Sequence, residues 1–147
     1  MIASLRTCIC NPAVAQPVVE KPAPRLTPDR VAQNNYYVKG VPAPGSTRNR
    51  NFISNAGSVI TSHRVVVINA LGSPVLAAEL IAEVAKVTPQ PVTHVIVMHY
   101  HANRIYGLQK FKARGAKNIA QRRALEFSTR IPSARGWKCR AGIARPG

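Results

Sequence analysis

Apolar and polar positions alternate with strand-like and helix-like periods between residues 34 and 127, and they predict three strands, a helix, a strand, a second helix and a short final strand. Runs rich in β-branched and aromatic residues place the three early strands at Tyr36–Val41, Phe52–Thr61 and Val65–Ile68. The short link between the last two contains His63 and indicates an antiparallel hairpin. We therefore expect His63 to be exposed in a turn.

The first helix is predicted to begin at Ser73 and Pro74, because serine caps free backbone amides and proline fits the first helical position. Apolar residues then recur at spacings of four and three and form one apolar face: Leu76, Leu80, Val84 and Val87. Pro89 and Pro91 end this helix. The almost continuous apolar run Val92–Met98 that follows is typical of a strand buried on both faces.

The segment after this strand predicts a helix over Ile105–Ala113, because Gly115 follows it in the manner of a C-terminal cap. Lys117–Ala120 then predicts a short strand. Strands that alternate with helices indicate the α/β (α+β) class.

The flanking segments lack a periodic apolar pattern. Residues 1–33 contain five prolines, which predict an arm without helix or ladder structure: Pro12, Pro17, Pro22, Pro24 and Pro28. This arm is either disordered or a degenerate signal segment, since Ala13-Val14-Ala15 is similar to a signal cleavage site while Arg6 interrupts the apolar run before it. These residues leave the localisation open, with the cytoplasm as the interpretation for the chain as written. Residues 128–147 form a basic irregular tail, and no apolar run approaches the ~18 residues of a membrane span.

The charge of the chain is strongly positive, with 21 Lys and Arg against 5 Asp and Glu, a formal net charge of +16. Such a surplus attracts polyanions. The basic residues of the tail are nevertheless scattered without period among Pro, Gly, Ala and Ser, and a single tryptophan, Trp137, is available for stacking. The composition therefore predicts nonspecific attraction to nucleic acid as the default, ahead of a dedicated binding site.

Two histidines, His99 and His101, lie directly after the apolar run Val92–Met98. Residues at positions i and i+2 of an extended segment point to the same side, and neutral imidazole is the commonest protein ligand for zinc. The pair is therefore a candidate half of a metal site, and the alternative is two solvated histidines. His94 lies inside the run and is expected to be a core or edge residue.

The stretch His99-Tyr100-His101-Ala102-Asn103-Arg104 resembles the His-x-His-x-Asp-His signature that follows a hydrophobic strand in the metallo-β-lactamase fold hydrolases. Three further segments resemble this family in order and spacing: Ser54–Thr61 its early hairpin strand, Val65–Asn69 the strand that usually ends in Asp, and Leu71–Pro74 the start of its first helix. The resemblance implies the N-terminal half of a four-layer αββα sandwich.

The resemblance also assigns roles to individual residues. His99 and His101 match ligands of the first zinc, which makes zinc the implied cofactor. Asn103 replaces the Asp that helps to bind a second zinc and assists the attacking water, and Arg104 replaces a histidine ligand of that second zinc. Asn69 replaces an Asp that supports the metal loop. After the last predicted strand, Gln121 stands where many relatives carry His.

These replacements predict a truncated and catalytically impaired relative of zinc-dependent hydrolases, which attack an ester, amide, lactam or thioester with metal-bound hydroxide. The third ligand of the first zinc comes from the second half of the family fold, and no histidine follows His101 here. We therefore expect this chain alone to be inactive and its metal binding to be weak. The alternative is a noncatalytic basic half-domain that dimerises through an exposed sheet or binds nucleic acid nonspecifically. Relatives with an intact signal would be exported and would act on small-molecule substrates.

Overall fold

The computed structural model describes residues 24–122 and 124. Within them the chain forms one six-stranded sheet whose spatial order follows the sequence. The first four strands pair antiparallel, and the last two join them in parallel. The strands are β1 (Asp29–Ala32), β2 (Asn35–Val38), β3 (Ala56–Ile60), β4 (Val65–Ile68), β5 (Val92–Val97) and β6 (Lys117–Ala120).

Helices make the two crossovers that parallel pairing requires. The helix α1 (Pro74–Val87) connects β4 to β5, and two short helices, α2 (Ala102–Ile105) and α3 (Leu108–Lys112), lie between β5 and β6. The predicted start of α1 is confirmed, because the Ser73 hydroxyl accepts a hydrogen bond from the Leu76 amide at 3.2 Å with Pro74 at the first helical position. The predicted α/β class is confirmed as well.

The prediction of one helix over Ile105–Ala113 is wrong, because the segment is divided at Tyr106 and Gly107. The Gly107 amide donates to the carbonyl of Leu71 at 3.2 Å instead of continuing a single helix. A Cβ atom at Gly107 would lie 1.9 Å from the Ala70 carbonyl oxygen, so the two backbones meet at a distance that only glycine permits. A contact between distant segments therefore overrides the local helical pattern.

The core lies between one face of the sheet and the helices. Alternate residues of β4 and β5 point into it, and α1 and α3 close it with branched and aromatic side chains. Its fully buried large members are Phe111, Leu71, Leu76, Leu80, Ile105, Val38, Val65, Val67 and Val95. This packing on one face fixes which residues of each strand point away from the helices.

The opposite face of the sheet carries no layer of helices from the described part of the chain. A row of directly paired residues crosses it from β2 to β6: Tyr37, Gly57, Ile68, Ile96 and Ile119. The side chains on this face are partly exposed, and Ile119 reaches 38%. The prediction that the strand beginning at Val92 is buried on both faces is therefore wrong, because helices pack against only one of them.

The proline-rich segment contains one strand that the sequence did not predict. β1 lies within residues 1–33, follows Pro28, and contains no proline itself, so its amides are free to pair with β2. The expectation of irregular structure is wrong for these four residues. Residues 1–23 and 128–147 lie outside the described part. No helix within the described part is long and apolar enough to cross a bilayer.

Candidate metal loop and adjoining cleft

The two predicted histidines lie at the carboxyl end of β5, in a segment that we call the histidine loop (residues 98–104). Because β4 and β5 are parallel, both strands end at the same edge of the sheet. The histidine loop therefore meets the turn that follows β4, which contains Asn69, Ala70 and Leu71. Contacts between these two segments set the geometry of the site.

Asn69 is buried and holds three segments together. Its Oδ1 accepts a hydrogen bond from the Met98 amide at 3.3 Å, and its Nδ2 donates to the Asn55 carbonyl at 3.4 Å. Its own amide donates to the Ile96 carbonyl at 2.8 Å. An asparagine with both an acceptor and a donor thus connects the end of β4 to the first residue of the histidine loop and to the segment before β3.

The backbone of this turn is left-handed at two positions that are not glycine, with φ of 65° at Asn69 and 65° at Leu71. Asparagine tolerates this region, whereas the bulkier leucine adopts it at a cost of about 1 kcal/mol. Two tertiary hydrogen bonds hold the turn: Ala70 donates to the Arg104 carbonyl at 2.8 Å, and Leu71 accepts from Gly107. The strain is therefore stored where the loop is held in place.

His99 and His101 lie side by side. His99 Nε2 is 3.1 Å from His101 Nδ1, and the two rings meet edge to face with centroids 4.5 Å apart. Two imidazole nitrogens bound to one tetrahedral zinc at 2.0–2.1 Å are separated by about 3.3 Å. The pair therefore has the spacing of one edge of a zinc site, and it equally fits a hydrogen bond between the two rings.

The described residues do not complete a catalytic zinc centre. Such a centre takes three protein ligands and a water. Within residues 24–122 and 124, no group of three or more His, Cys, Asp or Glu side chains is arranged to hold an ion. Among the described residues, His99 and His101 are the two that match the zinc ligands implied by the resemblance.

Arg104 and His99 both line a cleft of about 350 Å³ on the face of the sheet that faces away from the helices. Asn55, Asn69 and Tyr37 contribute polar groups to the same cleft. The Nε atom of Arg104 is buried and has no hydrogen-bond partner. A permanent cation thus stands beside the candidate zinc ligand.

The remaining candidate residues and histidines are not among the residues that line this cleft. The Asn103 carbonyl accepts a hydrogen bond from the Ser54 hydroxyl, and Asn103 is not among the residues that line the cleft. Gln121 is exposed after β6. His63 is exposed between β3 and β4 as predicted, and the His94 Nδ1 lies 2.8 Å from the Thr93 hydroxyl, away from the histidine loop.

Sequence reasoning missed the contribution of Tyr37, Asn55 and Met98 to the cleft. Tyr37 was predicted as an ordinary strand residue, and Met98 as the end of a buried strand. Two features of the sequence could have indicated their place in the cleft. Met98 directly precedes His99, and Tyr37 lies in the same row of the sheet as Ile68, the residue before Asn69. Pairing register brings them together, and register is not visible in one strand alone.

The pKa of His99 is lowered from its ordinary value of 6.5 by partial burial, by the Arg104 guanidinium and by His101. The neutral imidazole is therefore the dominant form at neutral pH, and this is the form that binds metal. The unfolded chain takes up this proton more readily than the folded one. At pH values above its ordinary pKa, His99 therefore makes its full contribution to the free energy of unfolding. This contribution is lost as the pH falls through the lowered pKa of the folded state.

Comparison with known proteins supports the fold. No protein-family model matches the chain, and no curated protein sequence matches it. Solved structures do match, among them the crystal structure of the metallo-β-lactamase FIM-1 from Pseudomonas aeruginosa in the mono-zinc form. The similarity covers 74% of this chain at 13% sequence identity with a TM-score of 0.59.

At 13% sequence identity, the structural similarity shows a shared fold. The described residues form a partial metallo-β-lactamase-like α/β fold, as the sequence predicted. The matched part spans about half of that neighbour, 47% of its length. The neighbour is a zinc protein, and a role for zinc in this chain is taken up below as a proposal.

Replacing Asn69 by Ala should lower the free energy of unfolding by about 2–3 kcal/mol, because the Met98 amide and the Asn55 carbonyl lose their partner and the left-handed backbone loses a tolerant residue. Asn51→Ala is the matched control, since Asn51 is exposed and also left-handed, with φ of 61°. It should cost about 1 kcal/mol, the backbone contribution alone. Urea unfolding measures both, and equal losses would contradict the role given to the Asn69 side chain.

Replacing Arg104 by Gln should raise the pKa of His99 towards its ordinary value, because it removes a positive charge that opposes protonation. Titration of the imidazole C2 proton by NMR measures the change. Arg64→Gln removes the same charge from the exposed turn between β3 and β4 and should leave His99 unmoved. A His99 pKa that is the same in wild type and Arg104→Gln would contradict the proximity of the guanidinium.

Proposed function

We propose that this protein is a catalytically impaired relative of the zinc-dependent metallo-β-lactamase fold hydrolases that retains a weak zinc site at His99 and His101. The observation that carries this proposal is the 3.1 Å approach of His99 Nε2 and His101 Nδ1 at the carboxyl end of β5. The similarity of the fold to a zinc metallo-β-lactamase supports it. Enzymes of this class would act on an ester, amide, lactam or thioester carbonyl.

Three features of the site support impairment. A zinc ion held by two imidazoles lacks the third ligand that a catalytic centre uses. Arg104 places a positive charge beside the pair, which opposes a divalent cation. Asn103 offers an amide where the resemblance implies a carboxylate, so it has no basic group to accept a proton from water. We expect no turnover of a lactam or thioester by this chain alone.

Zinc titration of the full-length protein tests the proposal. We expect one equivalent to bind weakly, because a site of two neutral ligands lacks the third protein ligand of a catalytic centre. His99→Ala and His101→Ala should each weaken this binding by about tenfold or more, since each removes one of two donors. His63→Ala is the matched control because His63 is exposed in a distant turn, and it should have no effect.

Tight binding that survives both alanine substitutions would contradict the proposal. The double substitution Asn103→Asp with Arg104→His restores the family signature, and it should raise the zinc affinity by about tenfold or more because it adds a donor and removes a repelling charge. An unchanged affinity would mean that the histidine loop is not arranged as in the family.

A second, noncatalytic function is favoured by the uncovered face of the sheet. We propose that two copies of this chain associate weakly through the row Tyr37, Gly57, Ile68, Ile96 and Ile119. The matched part spans 47% of the neighbour described above. The resemblance implies a sandwich of two similar halves in which a second sheet lies against this face, so we propose a second copy of this sheet as its occupant.

The area of this face and the charge of the chain determine how tightly two copies should associate. The six strands are separated by five spacings of about 4.8 Å and are four to six residues long, so this face offers roughly 300–500 Å² of surface per partner. This area is below the ~800 Å² per partner that a standard interface buries. The net charge of +16 opposes association at low ionic strength. The dimer should therefore be weak and favoured by salt.

Sedimentation velocity at increasing protein concentration should show a monomer–dimer equilibrium that strengthens between low and moderate salt. Ile96→Glu should abolish it, since it places a charge between Ile68 and Ile119 in the row. Val75→Glu is the matched control, because Val75 is 65% exposed on α1 and lies outside the row. A wild-type protein that is monomeric at every concentration, or equal loss of association in both variants, would contradict this function. Association that requires added nucleic acid would favour a polyanion as the partner instead.

A further inference from the structure

The helical segment that follows the histidine loop carries an exposed row of three side chains, which we call the α3 stripe. Tyr106, Lys110 and Arg114 follow one another at intervals of four residues, and all three are exposed. The backbone is right-handed helical at Tyr106 and Gly107, and amide–carbonyl hydrogen bonds of 3.0 Å continue the helical turns through α3 as far as Arg114. Residues four apart share one face of a helix, with a rise of about 6 Å per step. The stripe therefore presents one aromatic ring and two cations in a row.

The backbone beneath the α3 stripe is held in place from the opposite side. Leu108 and Phe111 are buried in the core between α1, α3 and the sheet. The turn after α3 is closed by a hydrogen bond of 3.1 Å from the Ala116 amide to the Phe111 carbonyl, with Gly115 left-handed at φ of 83°. The three side chains of the stripe thus extend into solvent from a fixed support.

The two cations of the α3 stripe are available to a partner. The sequence contains no acidic residue between Glu83 and Glu126. The two ion pairs in the described part of the chain use the cations of Arg50 and Lys86 instead. The stripe therefore adds a local positive potential to the net charge of +16, and it should attract an anion.

The aromatic ring indicates which kind of anion fits. Proteins that bind single-stranded nucleic acid combine cations along the phosphates with aromatic rings on which bases stack. Tyr106 is 38% exposed, so one base can reach its ring. A helix that binds an anionic bilayer inserts apolar side chains, whereas Leu108 and Phe111 point into the core. The stripe therefore fits a single strand better than a membrane surface.

We propose that the α3 stripe binds single-stranded nucleic acid, with Lys110 and Arg114 on phosphates and the Tyr106 ring stacked on a base. Binding should tolerate many sequences, because every base offers a π-face. The stripe lies on the helix-covered side of the sheet, so it is separate from the face offered for self-association. It does not depend on zinc, and its test is made in EDTA.

Fluorescence anisotropy of a labelled oligothymidylate of about twelve nucleotides, titrated with the full-length protein at several salt concentrations, tests the proposal. Lys110→Gln with Arg114→Gln should weaken binding by about tenfold or more and reduce the salt slope by about 1.4, because two phosphate contacts are lost. Tyr106→Ala should weaken binding by about fivefold or more and leave the salt slope unchanged, since a stacked base releases no counterions.

Lys39→Gln with Arg48→Gln is the matched control, because it removes one exposed lysine and one exposed arginine from the segment between β2 and β3. Affinity and salt slope should stay close to the wild-type values, since charges outside the contact are largely screened at moderate salt. Equal losses in the two double variants would mean attraction by net charge alone. An unchanged affinity in Tyr106→Ala would mean that no base is stacked. Either result would overturn the proposal.

Two further measurements separate charge from folding and a strand from a membrane. Lys110→Arg with Arg114→Lys keeps both charges and should bind oligothymidylate as the wild type does, whereas a loss equal to that of the glutamine variant would contradict phosphate contacts at these positions. Phosphatidylserine vesicles that bind the wild-type protein while oligothymidylate does not would assign the stripe to a membrane surface and overturn the proposal.

Discussion

The candidate site depends on the close approach of two backbones, the turn after β4 and the segment that follows the histidine loop. Gly107 meets the Ala70 carbonyl, Ala70 donates to the Arg104 carbonyl, and Asn69 takes up the Met98 amide. These contacts divide one predicted helix into two and hold both ends of the histidine loop. The cost is left-handed backbone at Asn69 and Leu71, which the tertiary hydrogen bonds offset.

Local periodicity predicted most of the fold. The Ser73-Pro74 start, the apolar face of α1 and the alternation of strands with helices need no information beyond neighbouring residues, and the structure agrees with them. Long-range effects account for the failures. Gly107 breaks a helix because of a contact with Ala70, and β1 forms because β2 offers it an edge, and neither cause is visible in the local pattern.

The same division applies to the site. The spacing of His99 and His101 on an extended segment correctly indicated that the two side chains would be adjacent. The cleft beside them was not predicted, since Tyr37, Asn55 and Asn69 come from three different segments whose register decides that they meet. The sequence indicates only that Arg104 stands at a lost ligand position. The structure adds that its Nε is buried without a hydrogen-bond partner.

The hydrogen bonds that tie the histidine loop to the rest of the fold include backbone groups, the Asn69 side chain and the Ser54 hydroxyl. The turn after β4 and the segment before β3 thus hold the loop in its conformation. Such a scaffold can present the same loop shape with side chains of different chemistry. The shape of the loop therefore reports on the fold, whereas the charge of the displayed side chains decides which ligand the loop can hold.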